Sequence, residues 1–223
     1  MSTPFSGDGR IKVAVVTGGH AFDVPGFHAL FRALPDVDPY VQHIEDFCCD
    51  CAKVKDAYHV LLFYNMHKAM PTGEEPWPMR DRKKAIESLG QTDQGIFLLH
   101  HGILSHTDWP LFQQIVGIPD RTITPHVGQT IHVDIADRDH PITRGLEPFD
   151  IQDEAYQMNG AEGESHVLLT TGHPLSLPTI GWTRQYRRSR VFCLQLGHDA
   201  LAYTHPSFQT LLGRGIQWCA GRL

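Results

Sequence analysis

The apolar run Gly95-Ile96-Phe97-Leu98-Leu99 ends abruptly at His100-His101-Gly102. A continuous apolar run is what a parallel strand buried on both faces requires. In an open α/β sheet, ligands sit just beyond the carboxyl ends of the strands. The stretch from Gly95 to His106 therefore constrains the chain twice. It calls for a covered parallel sheet, and it delivers imidazoles to the edge where such sheets bind.

The first half repeats the theme. Ile11 to Val16 is apolar and β-branched and runs into Thr17-Gly18-Gly19-His20. Asp23 and Pro25 signal a helix start, Phe27, Leu30, Phe31 and Leu34 give its buried face, and Pro35 ends it. Tyr40 to Ile44 reads as a second strand and Val60 to Tyr64 as a third. Arg80 to Leu89 reads as a polar helix with Gly90 as its stop. Asp108-Trp109-Pro110 opens a further helix, with Leu111, Ile115 and Val116 facing in. This β-α-β order calls for a parallel, doubly wound sheet.

The second half changes character. Thr130 to Ala136 alternates apolar and polar residues, as a half-buried strand does. Val167 to Thr170, Thr179 to Thr183 and Arg190 to Leu196 read as strands, the last two paired as a hairpin. A helix from Pro206 to Gly221 buries Phe208, Leu211, Leu212, Ile216 and Cys219. Residues 1–10 read as a loose tail and 11–223 as a single α/β domain with extra β-hairpin elements in its second half.

Composition excludes several classes. The chain has 223 residues, no apolar stretch long enough to cross a bilayer, and no signal-peptide core in its polar first ten residues. The expectation is a cytoplasmic protein without a membrane partner. Net charge is −6 and there is no basic block; Arg184, Arg187, Arg188 and Arg190 cluster on the hairpin, which argues against nucleic acid. Cys48, Cys49 and Cys51 are too crowded for one tetrahedral metal site, and Cys193 and Cys219 sit in apolar runs as core residues. No Gly-x-Gly-x-x-Gly, Walker or Gly-x-Ser-x-Gly motif occurs, so no nucleotide cofactor and no serine elbow are expected. No cysteine follows a strand at a glycine turn, so a thiol nucleophile is not expected either.

The unusual feature is 15 histidines, several placed immediately after strands. Gly19-His20, His100-His101-Gly102 and Gly197-His198 would converge if their strands are parallel neighbours. Imidazole is the commonest metal ligand and the natural acid–base group near neutral pH. A catalytic zinc needs about three protein ligands and an open position. His20, His100, His126 and His198 are the candidate metal ligands, with Asp153 and Glu154 as further candidates. Strand alternation points His100 and His101 to opposite sides, so one lines the cleft while the other bonds inside. His106 and His132 read as structural or exposed, and His140 as fixing a turn before Pro141.

The motifs VAVVTGGH (Val13–His20), Leu99-His100-His101-Gly102 with Asp108-Trp109-Pro110, His140-Pro141-Ile142-Thr143-Arg144-Gly145-Leu146, Asp153-Glu154-Ala155-Tyr156 and Val191 to His198 occur in this order. As a set they resemble the ThuA-like family, named for trehalose utilisation, from about Ile11 to Gly221. The resemblance implies a flavodoxin-like three-layer sandwich with a mostly parallel central sheet, as in class I glutamine amidotransferases. It also implies a departure, because His100 and His101 stand where an amidotransferase carries its nucleophilic cysteine, so glutaminase activity is not expected. It favours His100 over His101 as the cleft residue and associates the chain with sugar metabolism.

Three functions remain open at this point. The first is a metal-dependent hydrolase, lyase or isomerase of trehalose or a keto-sugar glycoside. It would use a divalent ion, zinc first, with His100, Asp153, Glu154 and Tyr156 catalytic and His101, Trp109, Trp182 and Gln195 contacting a small-molecule carbohydrate. The second is a non-catalytic sugar-binding or regulatory module on the same scaffold. The third is a metal-free enzyme using histidine alone. A homodimer is an arrangement open to such a compact domain.

Overall fold

The computed structural model describes residues 7–223; the expected tail before Gly7 lies outside them. β1 (Ile11–Thr17) sends Val13 and Val15 to one face and Ala14 and Val16 to the other, and all four are buried. α1 (Val24–Arg32) starts at Asp23, whose carboxylate accepts the Gly26 N–H, and buries Phe27, Leu30 and Phe31. β2 (Val37–His43) is an edge strand, which is why it tolerates Pro39. α2 (Ile44–Cys49) was not legible in the sequence; it buries Ile44, Phe47 and Cys48.

β3 (Val60–Phe63), α3 (Asp81–Glu87) and β4 (Gly95–Leu99) follow. In α4 (Pro110–Val116) the buried residues are Phe112, Ile115 and Val116, while Leu111, expected inside, is only partly covered. The second half contains β5 (Thr124–Ile135), β6 (Phe149–Gln157), β7 (His166–Thr170), β8 (Thr179–Tyr186) and β9 (Ser189–Leu194). α5 (Ala200–Tyr203) and α6 (Pro206–Cys219) close the chain, and α6 buries the five residues its periodicity predicts.

Among the described residues the sheet has nine strands in the order β2-β1-β3-β4-β9-β8-β7-β5-β6. The pairs β2–β1, β1–β3, β3–β4 and β4–β9 are parallel, and the four beyond β9 are antiparallel. The expectation of a mostly parallel sheet is corrected accordingly. Strands β5 to β9 are joined without crossover helices, and parallel neighbours need such a crossover, so these strands pair antiparallel. The β8–β9 hairpin is as expected, and it turns at Arg187 and Arg188.

Two apolar layers flank the sheet. One packs α1 and α6 through Phe27, Phe31, Phe208 and Leu212; the other packs α2, α3 and α4 through Phe47, Ile86 and Phe112. The result is a three-layer α/β sandwich. Because β1, β3, β4 and β9 run parallel in close register, their carboxyl ends line up. Gly18 to His20, Tyr64 to His67, His100 to His101 and Gln195 to His198 therefore share one edge.

Candidate functional site

The site starts where β4 stops. His100 takes a left-handed backbone, φ 50°, and a short 3-10 turn (His100–Leu104) follows. A non-glycine residue held in this conformation marks a position fixed by its surroundings. Two residues on, a Cβ at Gly102 would run into the Phe63 carbonyl oxygen, so only glycine lets the turn pack this closely on β3.

His100 is fully buried. Its Nδ1 lies 2.6 Å from the Gln195 carbonyl oxygen. A carbonyl only accepts, so Nδ1 carries a proton, and in that tautomer Nε2 presents its lone pair. Nε2 faces three groups at once: the Tyr156 hydroxyl at 2.7 Å, Glu154 Oε2 at 3.2 Å and His198 Nδ1 at 3.2 Å. Glu154 Oε2 is in turn 3.1 Å from His198 Nδ1. His100, Glu154 and His198 thus form a nearly equilateral triangle of donor atoms. Zinc bonds of about 2.0 Å in a tetrahedron place neighbouring ligand atoms about 3.3 Å apart. The chemistry of the set fits too, since two imidazoles and a carboxylate suit zinc and the 2-His-1-carboxylate sites of iron.

Charge is tuned to the same end. Burial pushes the Glu154 carboxyl up, but the adjoining His100 and His198 imidazoles outweigh it and hold it well below the usual carboxylate range. The hydrogen bond to Glu154 raises His198, against the burial that would lower it. In the metal-free protein the His198 contribution to stability is full below its ordinary value of 6.5 and is lost as pH rises through its raised value. The Glu154 contribution is present above its ordinary 4.5 and is lost as pH falls through its depressed value. Metal-free protein should therefore exceed Glu154→Gln in melting temperature most between those two values, by about 2–4 °C, and less on either side. Thermal unfolding across a pH series measures it.

The loop that presents His198 is gripped from both sides. Asp153, nearly fully buried, accepts the Gly197 N–H at 2.7 Å and the His198 N–H at 3.0 Å, besides that of Glu154 at 2.8 Å. Tyr64 donates to the Gly197 carbonyl at 2.9 Å, and Tyr203 donates to that of His198 at 3.2 Å. All four backbone groups of the Gly197-His198 pair are held. Asp153 is thus a positioning residue, with its oxygens turned to the backbone. Tyr64 and Tyr203 were missed by the sequence reading; both lie in apolar surroundings that read as core.

The other expected residues are placed as follows. Gln195 is buried; its side-chain N–H donates to the Glu154 carbonyl, and its own carbonyl orients His100. His101 is buried beside the cleft, donates from Nε2 to the Tyr64 carbonyl at 2.7 Å, and packs on the His20 ring at 4.5 Å. Burial pushes it down to about 2, so it stays neutral. His20 is exposed above the cluster, its Nδ1 on the Ala21 carbonyl at 2.6 Å, outside the triangle. His126 lies on β5, 3.4 Å from Gln157 Oε1, also outside it. The expectation that the two tryptophans contact the carbohydrate is corrected, since both are buried. Trp182 is wholly buried in the core, its indole N–H on the Val116 carbonyl at 2.8 Å, and Trp109 packs in the same layer beside His106. Trp182 stands in a strand buried on both faces, and the run Thr179 to Thr183 carries that signal.

Solved structures share this architecture. A ThuA-like protein from Parabacteroides merdae is 20% identical, with a TM-score of 0.70, over 95% of this chain and 90% of that one. A ThuA-like protein from Bacteroides uniformis is 18% identical, with a TM-score of 0.72, over 96% and 93%. A protein from Thermoplasma acidophilum described as part of a GMP synthase is 14% identical, with a TM-score of 0.58, over 95% of each chain. No curated protein matches the sequence. The fold places the molecule among α/β sandwiches of the amidotransferase-like kind. Within that class the chain belongs to the ThuA, or trehalose utilisation, family, whose sequence model matches residues 45–219.

Proposed function

We propose that this chain is a metal-assisted enzyme of carbohydrate metabolism, acting on a keto-sugar or its glycoside and without glutaminase activity. The observation that carries the reading is the triangle of His100 Nε2, Glu154 Oε2 and His198 Nδ1, with edges of 3.1 to 3.2 Å. These three would hold the ion, zinc first, and the family's description, trehalose utilisation, supports a sugar as substrate. Once bound, such an ion polarises a carbonyl or activates a water.

The chain's own residues supply the rest. The Gln195 carbonyl keeps the proton of His100 on Nδ1, so Nε2 offers its lone pair. Burial pushes the Tyr156 phenol well up, so it remains a hydrogen-bond donor at the edge of the cluster. Glu154 serves as ligand, and Asp153 holds the loop. The proton-transfer role then falls to His20, whose Nε2 is open above the cluster while Nδ1 is tied to its own loop. All five cysteines are free, which fits a reducing cytoplasm.

The test is elemental analysis of protein purified without a metal-affinity tag, followed by turnover of keto-sugar glycosides with and without chelator. The expected result is about one ion per chain, with turnover lost on chelation and restored by that ion. No metal bound, and none taken up on titration, would overturn the reading. Sugar binding without turnover in the loaded protein would make it a binding module.

A further inference from the structure

Glu154 and Tyr156 stand two residues apart on β6, so strand alternation turns both to the same face. Asp153, on the other face, grips the loop of His198. β6 thus brings His100 a second group besides the candidate ligand Glu154. The Tyr156 hydroxyl lies 2.7 Å from His100 Nε2, closer than Glu154 or His198, each at 3.2 Å. The two rings lie beside each other, centroids 5.0 Å apart and planes inclined by 30°.

A count of lone pairs decides what this contact does. The Gln195 carbonyl keeps a proton on Nδ1 of His100. In that tautomer the ring has one lone pair, at Nε2. The Tyr156 O–H donates to it, and His198 Nδ1–H donates to Glu154 Oε2. Two hydrogens thus satisfy the two acceptors that an ion would use. An ion would need the same lone pair on Nε2, and one lone pair cannot serve both. His100 is wholly buried and Tyr156 is 2% exposed, so solvent does not reach Nε2 to take the place of the hydroxyl.

We propose that the Tyr156 hydroxyl is a latch on the metal site, which caps His100 Nε2 when no ion is bound and must let go for an ion to enter. The proposal rests on the reading of His100, Glu154 and His198 as a metal centre. Tyr156 acts on the ion through His100 and is in this respect a positioning residue. A group that only supports the site would strengthen ion binding. A latch weakens and slows it, because entry of the ion breaks a buried hydrogen bond.

The test is zinc titration of the metal-free full chain and of Tyr156→Phe against a competing chelator, with thermal unfolding of both metal-free samples. Tyr156→Phe should melt lower when metal-free, yet bind zinc about three- to tenfold more tightly and take it up faster. The unsubstituted chain gives a second reading, which decides the matter if Tyr156→Phe does not fold. Its near-ultraviolet tyrosine absorbance should change as zinc binds and saturate at one ion, because the hydroxyl loses its imidazole acceptor. Equal or weaker zinc binding by folded Tyr156→Phe would overturn the latch and leave the metal centre standing. A tyrosine spectrum unaltered by bound zinc would do the same. Absence of zinc binding in both proteins would overturn the latch and the centre together.

Discussion

His100→Ala should fold and should bind zinc more than about 100-fold more weakly than the unsubstituted chain. Loss of a residue that merely orients a ligand typically costs about 10–100-fold in metal affinity, and His100 is one of three ligand candidates. The substitution also strips the Gln195 carbonyl of its buried donor, which costs about 1–3 kcal/mol of stability. His198→Ala separates the two effects, because His198 is half-buried and its removal leaves that carbonyl bonded. Zinc titration followed by thermal unfolding reads both quantities. Unchanged affinity in both variants would mean that the triangle is not a metal centre.

Asp153→Ala should lose stability and affinity together. It leaves the Gly197 and His198 N–H groups buried without an acceptor, at a cost of about 3 kcal/mol for the pair. The loop that sets His198 is then held only from its carbonyl side, by Tyr64 and Tyr203. Zinc affinity should fall about 10–100-fold although no ligand is removed. Asp153→Asn keeps one accepting oxygen and should recover part of both losses. Denaturant unfolding of the metal-free variants, set beside zinc titration of the same samples, distinguishes positioning from simple destabilisation. A variant that loses stability yet binds zinc normally would show that the grip on the loop serves only the fold.

The elements whose signals are local were legible. Asp23 and Pro25 announce α1, and the apolar spacing from Phe208 to Cys219 announces α6. The short α2 was not, since six residues rich in cysteine and acid offer little periodicity. The site was half legible. His100 and His198 follow apolar strands whose ends the topology aligns, but Glu154 arrives on β6, an antiparallel strand at the far edge of the sheet. No local pattern states that β6 returns over the carboxyl ends of β4 and β9. The adjacent acids 153 and 154 therefore read as one pair, whereas the structure gives them separate tasks, one on the backbone and one on the imidazoles. His20 and His126 sit after or within strands as a ligand would, and only the position of Glu154 on β6 shows why the triangle closes without them.

The order of strands in the sheet bears on how the molecule assembles. β9, the last strand made, lies between β4 and β8, so it must enter the middle of the sheet. The partners of His100 stand 54 and 98 residues further along the chain. Contacts at such separation are entropically costly and form late. An ion held by all three would find no complete binding place on a nascent or partly collapsed chain. Its stabilisation would then fall on the finished sheet alone, slowing the escape of β9 without hastening its entry.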